Sequence, residues 1–133
     1  MVACASGLIS TKAGMRMLHT GDADLVLCGA ADAISEFILS AFNRLGVLAK
    51  AEPPESACRP FDCNRNGFVM GEGAAMLVLE NRSHAKARDA SVYAQLAACQ
   101  VLCQTHQITG MDGEAGTLTE LIKRLVRKAC LLY

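Results

Sequence analysis

Two short apolar runs set the architecture available to this chain. Leu25-Val26-Leu27-Cys28 and Ala74-Ala75-Met76-Leu77-Val78-Leu79 are continuous, with no polar residue at alternate positions. A strand with one wet face alternates; an unbroken run of this length belongs to a strand covered on both faces. Such cover comes from helices, and helical patterns accompany both runs. Ser6 to Thr20 carries Leu8, Met15 and Leu18 at helical spacing, has Ala13 and Gly14 for close packing, and stops at Gly21. Ser35 to Leu45 places Ile38, Ala41, Phe42 and Leu45 on one face behind Ser35 as N-cap. A helix joined to an apolar strand by the tight polar link Asp22-Ala23-Asp24 is an α/β unit, and a parallel sheet is the economical expectation.

The remaining elements follow from the same signals. Lys50 to Ala57, with Pro53-Pro54, reads as a surface loop. Asn81 to Arg88 reads as a short polar helix with His84 facing solvent. Ser91 to about Cys103 reads as a third strand, with Val92, Ala94, Leu96 and Ala98 alternating and Cys99 and Cys103 on one face. A helix starting at Thr117, with Thr117-x-x-Glu120 as a capping box, has Leu118, Leu121, Ile122, Leu125, Val126 and Ala129 as its apolar face. Its Lys123, Arg124, Arg127 and Lys128 form either a solvated face or a dock for an acidic partner.

Composition narrows the function classes. With 52% hydrophobic residues and no Trp, the core must be aliphatic and sulfur-bearing, which suits helices packed on a sheet. A net charge of zero lacks the basic surplus of a nucleic-acid binder. No apolar run reaches the length of a membrane span. Seven cysteines at irregular spacing, without a visible signal peptide, point to free thiols in a reducing intracellular compartment, cytoplasm or mitochondrion or plastid. Cys58-x4-Cys63 and Cys99-x3-Cys103-x2-His106 approach metal-ligand spacings without completing a tetrahedral set, so neither a metal nor a cofactor is expected.

Two stretches carry candidate chemistry. Cys4 sits among small residues where the first helix begins. A thiol at a helix N-terminus meets unpaired N–H groups and the positive end of the helix dipole, a setting that lowers thiol pKa toward the nucleophilic range. The competing reading is a buried thiol acting as a small hydrophobe. The second stretch, Arg59 to Gly73, is the most punctuated in the chain, with Pro60, the Asn66-Gly67 turn signal, and Gly71 and Gly73. It reads either as a loop stapled by ion pairs among Arg59, Asp62, Arg65 and Glu72, or as a rigid loop lining a cleft.

Taken together, Ala3-Cys4-Ala5-Ser6-Gly7, the Gly21 to Asp24 turn, Cys28-Gly29-Ala30, Arg59-Pro60-Phe61-Asp62, Asn66 to Ala74 and Leu77-Val78-Leu79-Glu80 resemble the β-ketoacyl synthases, in order and in spacing. The similarity runs to about residue 110 and lies closer to the bacterial and organelle acyl-carrier-protein type than to the modular polyketide type. The resemblance implies a partial thiolase-like fold, with residues 1–133 spanning the end of one α/β half and the start of the next. It implies that Cys4 is the acyl-accepting nucleophile of a decarboxylative Claisen condensation in fatty-acid or polyketide chain elongation. The implied partner is an acyl carrier protein bearing phosphopantetheine-linked acyl and malonyl groups, and the intact family implies a homodimer, with no nucleic acid or membrane. Phe42 matches a position near the acyl pocket, and Thr109 one on the pantetheine side. The family also uses two histidines that His19, His84 and His106 do not match. The chain therefore reads as a fragment that does not complete the cycle alone. The alternative is a non-catalytic piece that at most binds another subunit.

Overall fold

The computed structural model describes residues 4–50, 53–105 and 112–129. Helix α1 (Ser6–Thr20) has the predicted limits and ends at Gly21, whose φ of 77° is the left-handed stop a glycine adopts without strain. Strand β1 (Leu25–Asp32) extends the first apolar run, and β2 (Gly73–Glu80) is the second. Helix α2 (Glu36–Arg44) starts behind Ser35, whose side chain accepts from the backbone N–H of Ile38 at 3.3 Å, as its N-cap role requires. A single 3₁₀ turn, Pro54–Ser56, interrupts the expected loop. Helix α3 (Arg82–Ala87) and helix α4 (Gly116–Lys128) complete the described elements. The α/β expectation is met: helices alternate with a small sheet of β1 and β2.

Three expectations are corrected. The sheet is antiparallel: the Asn81 N–H, just past the end of β2, donates to the carbonyl of Asp24, just before the start of β1, at 3.0 Å. An unbroken apolar run reports cover, not direction, so the parallel guess had no support from pairing. Ser91 to Cys103 forms no strand. Its alternation lacks a hydrogen-bonded neighbour among the described residues, and Cys99 and Cys103 lie outside any ladder. The Thr117-Glu120 capping box is also absent. Helix α4 begins one residue earlier, behind Ala115 in the left-handed region, and Asp112 accepts from the N–H groups of Glu114 and Gly116, each at 3.0 Å. Glu120 is bonded instead to Arg124 at 2.6 Å.

The chain divides into two compact units, Met1–Gly29 with Met76–Tyr133, and Ala30–Ala75. In the first, α1 lies directly on the strands through Gly14. A Cβ built there would stand 3.2 Å from Val26 Cγ1 and 3.4 Å from Leu79 Cδ1, so the helix approaches as closely as its backbone allows. The Ser10 hydroxyl accepts from the Gly29 N–H at 3.2 Å, and the buried Thr11 hydroxyl donates to the Gly7 carbonyl at 2.9 Å. Among the described residues Cys28 and Ala85 are the buried apolar ones; Leu25, Leu27, Met76, Leu77 and Val78 stay substantially exposed. The apolar strands are thus covered within this chain chiefly where α1 touches them.

In the second unit, the Asn66-Gly67 turn is fixed by a two-way clasp. Asn66 Oδ1 accepts from the Lys50 N–H at 3.2 Å, and its Nδ2 donates to the Lys50 carbonyl at 2.6 Å. Gly67 passes so near the Leu48-Ala49 peptide that a Cβ would lie 2.5 Å from backbone atoms. This lets Phe68 bridge to Leu48, with Phe68 N–H donating to Val47 O at 3.0 Å and Ala49 N–H to Phe68 O at 2.9 Å.

Candidate active site

Cys4 occupies the turn leading into α1, one residue ahead of the N-cap Ala5. It is exposed and unpaired. The packing role that competed for it belongs to Cys28, which is 5% exposed beneath α1. Ala5 supplies its carbonyl to Ile9 N at 3.0 Å but no side-chain cap, and the first turn of α1 carries no acid. The leading amides therefore keep no side-chain acceptor, and the positive helix end stays available to an anion beside Cys4. Helix position is set downstream, by the Gly14 contact, by Ser10 to Gly29, and by Cys99 Sγ 3.8 Å from Leu8 O. A concavity of about 540 Å³ runs along α1, lined by Ile9, Lys12 and Arg16 with Asp22 and Val101; Cys4 is not part of its wall.

Phe42 lies on α2 in the second unit, half-buried, with its ring edge-on to Phe68 at 5.3 Å between centroids and 86° between planes. Such T-shaped pairs add about 0.5–1.5 kcal/mol beyond area burial. Cys4 and Phe42 thus belong to different units, each positioned by its own contacts. Thr109 and His106 lie outside the described residues.

The loop from Arg59 to Gly73 is held by side chain to backbone bonds, so of its two readings the one built on ion pairs does not hold. Arg59 Nε donates to Ser56 O at 2.5 Å, Arg65 to Asp62 O at 2.7 Å, and Glu72 accepts from Ile34 N–H at 2.6 Å. Within this loop the backbone is left-handed at Phe61, at φ 63°.

The remaining histidines have local roles. His19 Nδ1 faces the Met15 carbonyl at 3.0 Å. His84 Nδ1 is 2.5 Å from Glu80 Oε1, and Arg88 donates to both Glu80 oxygens at 2.7 Å. The Arg88 guanidinium, and then His84, hold the Glu80 carboxyl down at about 2. This clasp, from the end of β2 to His84 in α3 and Arg88 just past it, escaped the sequence reading. Among the described residues no group of three His, Cys, Asp or Glu side chains is placed to hold a metal, and no helix is long and apolar enough to cross a membrane.

Comparison with known proteins decides the family. The model of the β-ketoacyl synthase N-terminal domain matches residues 2–85. This chain belongs to the β-ketoacyl synthase family. Its α/β architecture is accordingly that of a partial thiolase-like fold. Among curated β-ketoacyl synthases it is 42% identical over 113 residues to a putative polyketide β-ketoacyl synthase 1 of Streptomyces halstedii, covering 84% of this chain and 27% of that one. It is 39% identical over 123 residues to the mitochondrial 3-oxoacyl-[acyl-carrier-protein] synthase of Arabidopsis thaliana, covering 89% and 27%. A type II polyketide ketosynthase, solved in complex with its acyl carrier protein and bound to the hexaketide, superposes with a TM-score of 0.89 at 32% identity, over 96% of this chain and 32% of that chain. The chain therefore spans about a third or less of the β-ketoacyl synthases it matches. Membership ties it to the condensing enzymes of polyketide and fatty-acid chain elongation.

Proposed function

We propose that residues 1–133 form part of a condensing enzyme, from the end of one thiolase-like half into the start of the next, in which Cys4 carries the growing acyl group. The observation that supports this most is an exposed thiol one residue ahead of a helix whose first amides have no side-chain acceptor. The Cys4 thiolate attacks the carbonyl of an acyl thioester on an acyl carrier protein, and the phosphopantetheine thiol leaves. A malonyl thioester then loses CO2, its carbanion attacks the Cys4 thioester, and the Cys4 thiolate departs as the new carbon–carbon bond forms. Dividing one difficult transfer into two is the gain of covalent catalysis. The Cys4 backbone N–H is suited to the oxyanion formed in both steps, in the same field of the α1 terminus. Phe42 is proposed to line the acyl chain and Thr109 to lie toward the pantetheine. The complete enzyme is proposed to act as a homodimer served by an acyl carrier protein, the kind of partner seen with the type II ketosynthase.

Decarboxylation is proposed to rest on groups other than the histidines in hand. His19 and His84 already have partners in Met15 O and Glu80, and neither stands beside the Cys4 turn in sequence. The test is incubation of the chain with an acyl thioester, followed by intact mass. The expected result is a single acyl adduct that disappears in Cys4→Ala. No adduct, or one that persists in Cys4→Ala, overturns the nucleophile assignment and favours a non-catalytic piece. Release of CO2 from malonyl carrier protein by this chain alone would overturn the division of labour.

A further inference from the structure

The first turn of α1 has little of its own to hold it. Its N-cap, Ala5, makes no side-chain hydrogen bond, and Gly7 occupies the second helical position, where glycine is the poorest helix former after proline. Cys4, Ala5, Ser6 and Leu8 are exposed, so packing adds little there. The next turn supplies what is missing. The Ser10 hydroxyl accepts from the Gly29 N–H of β1 at 3.2 Å, and among the described residues this is the only hydrogen bond joining α1 to β1. The neighbouring Thr11 is buried, and its hydroxyl donates back to the Gly7 carbonyl at 2.9 Å. The brace therefore runs from the strand to Ser10, and from Thr11 into the turn that follows Cys4. The close approach of Gly14 to Val26 and Leu79 lies a further turn away from Cys4.

We propose that Ser10 is a positioning residue for Cys4: its bond to Gly29 fixes the start of α1 against β1, and so keeps the leading amides of the helix in place beside the thiol. The inference rests on Cys4 as the acyl acceptor. A thiolate at Cys4, and the oxyanion formed when it adds to an acyl carbonyl, gain from those amides only while the first turn stays helical. Without the Ser10 hydroxyl the Gly29 N–H loses its acceptor, the uncapped turn with Gly7 frays, and Cys4 becomes an ordinary exposed thiol on a flexible segment.

Pulse alkylation of the full chain with iodoacetamide, followed by tryptic mapping, tests this. Cleavage after Lys12, Arg16, Arg44, Lys50 and Arg65 puts Cys4 on one peptide, Cys28 on a second, and Cys58 with Cys63 on a third. Cys58 and Cys63 are exposed and serve as the reference; Cys28, buried beneath α1, reports whether the fold is intact. In Ser10→Ala the rate at Cys4 relative to the reference is expected to fall about two- to fivefold, the scale of a helix end acting on an exposed anion, while Cys28 stays unlabelled. Ser10→Thr, which keeps the hydroxyl, is expected to restore the native ratio. An unchanged ratio in Ser10→Ala overturns the proposal, and so does a Ser10→Thr chain that behaves like Ser10→Ala. Labelling of Cys28 in Ser10→Ala also overturns it, since Ser10 would then hold the unit together and not position Cys4. The same three chains are pulsed with an acyl thioester, and acylation of Cys4 is expected to fall and recover in the same order. A native chain whose Cys4 alkylates ahead of the reference but takes no acyl group overturns the acyl-acceptor reading, while the alkylation ratios judge the tether separately.

Discussion

Cys4 and Glu80 are the two residues whose surroundings make the sharpest claims. For Cys4 the claim is reactivity. Of the exposed thiols among the described residues, Cys4 stands one residue ahead of the uncapped end of α1, so brief treatment with an acyl thioester is expected to label Cys4 ahead of Cys58, Cys63 and Cys103. Peptide mapping after a short pulse reads the order directly. For Glu80 the claim is a pH window. Its pKa is lowered from 4.5 to about 2, by the Arg88 hydrogen bonds first and His84 second. A depressed carboxylate stabilises the fold above its unfolded pKa and loses that contribution as pH falls through the folded one. The gap in stability between the native chain and Glu80→Gln is therefore expected to hold near neutrality, shrink below about pH 4.5 and close near about pH 2. Parallel thermal melts across that range check it; a gap that does not change with pH would contradict the clasp. Cys4 was legible as a candidate because small residues and a helical period meet there. The Glu80 clasp is not legible because it joins the last residue of a strand to His84 and Arg88 on the following short polar helix, and those two look like an ordinary solvated face.

At the scale of elements, two glycines act by having no side chain. Gly67 runs against the Leu48-Ala49 backbone, which has no flexible side chain to move aside. Gly67→Ala is expected to cost about 1–3 kcal/mol and to break the Leu48–Phe68 bridge, with denaturant unfolding of the chain as the measurement. Gly14 faces Val26 Cγ1 and Leu79 Cδ1, which can give slightly. A valine there overfills the contact between α1 and the strands, and a comparable loss is expected by the same measurement. The sequence showed α1, α2 and β2 nearly to the residue, because each has a period or a run bounded by a glycine, serine or polar turn, whereas β1 runs on past Gly29 to Asp32, beyond the end of its apolar run. Strand direction was not legible, since hydrophobicity does not encode which neighbour a strand pairs with. Ser91 to Cys103 looked like a strand for a related reason: alternation marks an extended segment, and a ladder needs a partner as well. The start of α4 was misread because Asp112 caps it from outside the four-residue window in which Thr117 and Glu120 were sought.

For the whole molecule, the governing fact is how little apolar surface is covered. Among the described residues the buried apolar set is Cys28 and Ala85, while Phe37, Phe61, Tyr93 and much of both strands stay open. Each fully exposed large aliphatic or aromatic side chain forgoes roughly 1.5–3 kcal/mol of burial. Expressed alone, the chain is expected to bind a hydrophobic dye strongly; dye fluorescence tests this, and little binding would refute it. Spanning about a third of a type II ketosynthase, the chain accounts for only part of such a fold's interior.

The antiparallel partnership of β1 and β2 has a further consequence in time. About 40 residues of chain must be made between the two strands before they can meet, and loop closure over that distance precedes any gain from pairing. At translation speeds of about 5–20 residues per second, the edge of Leu25–Asp32 waits roughly 2–8 s for its neighbour. Helices α1 and α2, whose hydrogen bonds are local, need no such wait. The sheet is then a late product of synthesis, and the interval before Gly73–Glu80 emerges is when a nascent chain of this sequence is most open to a chaperone, or to another nascent copy of itself.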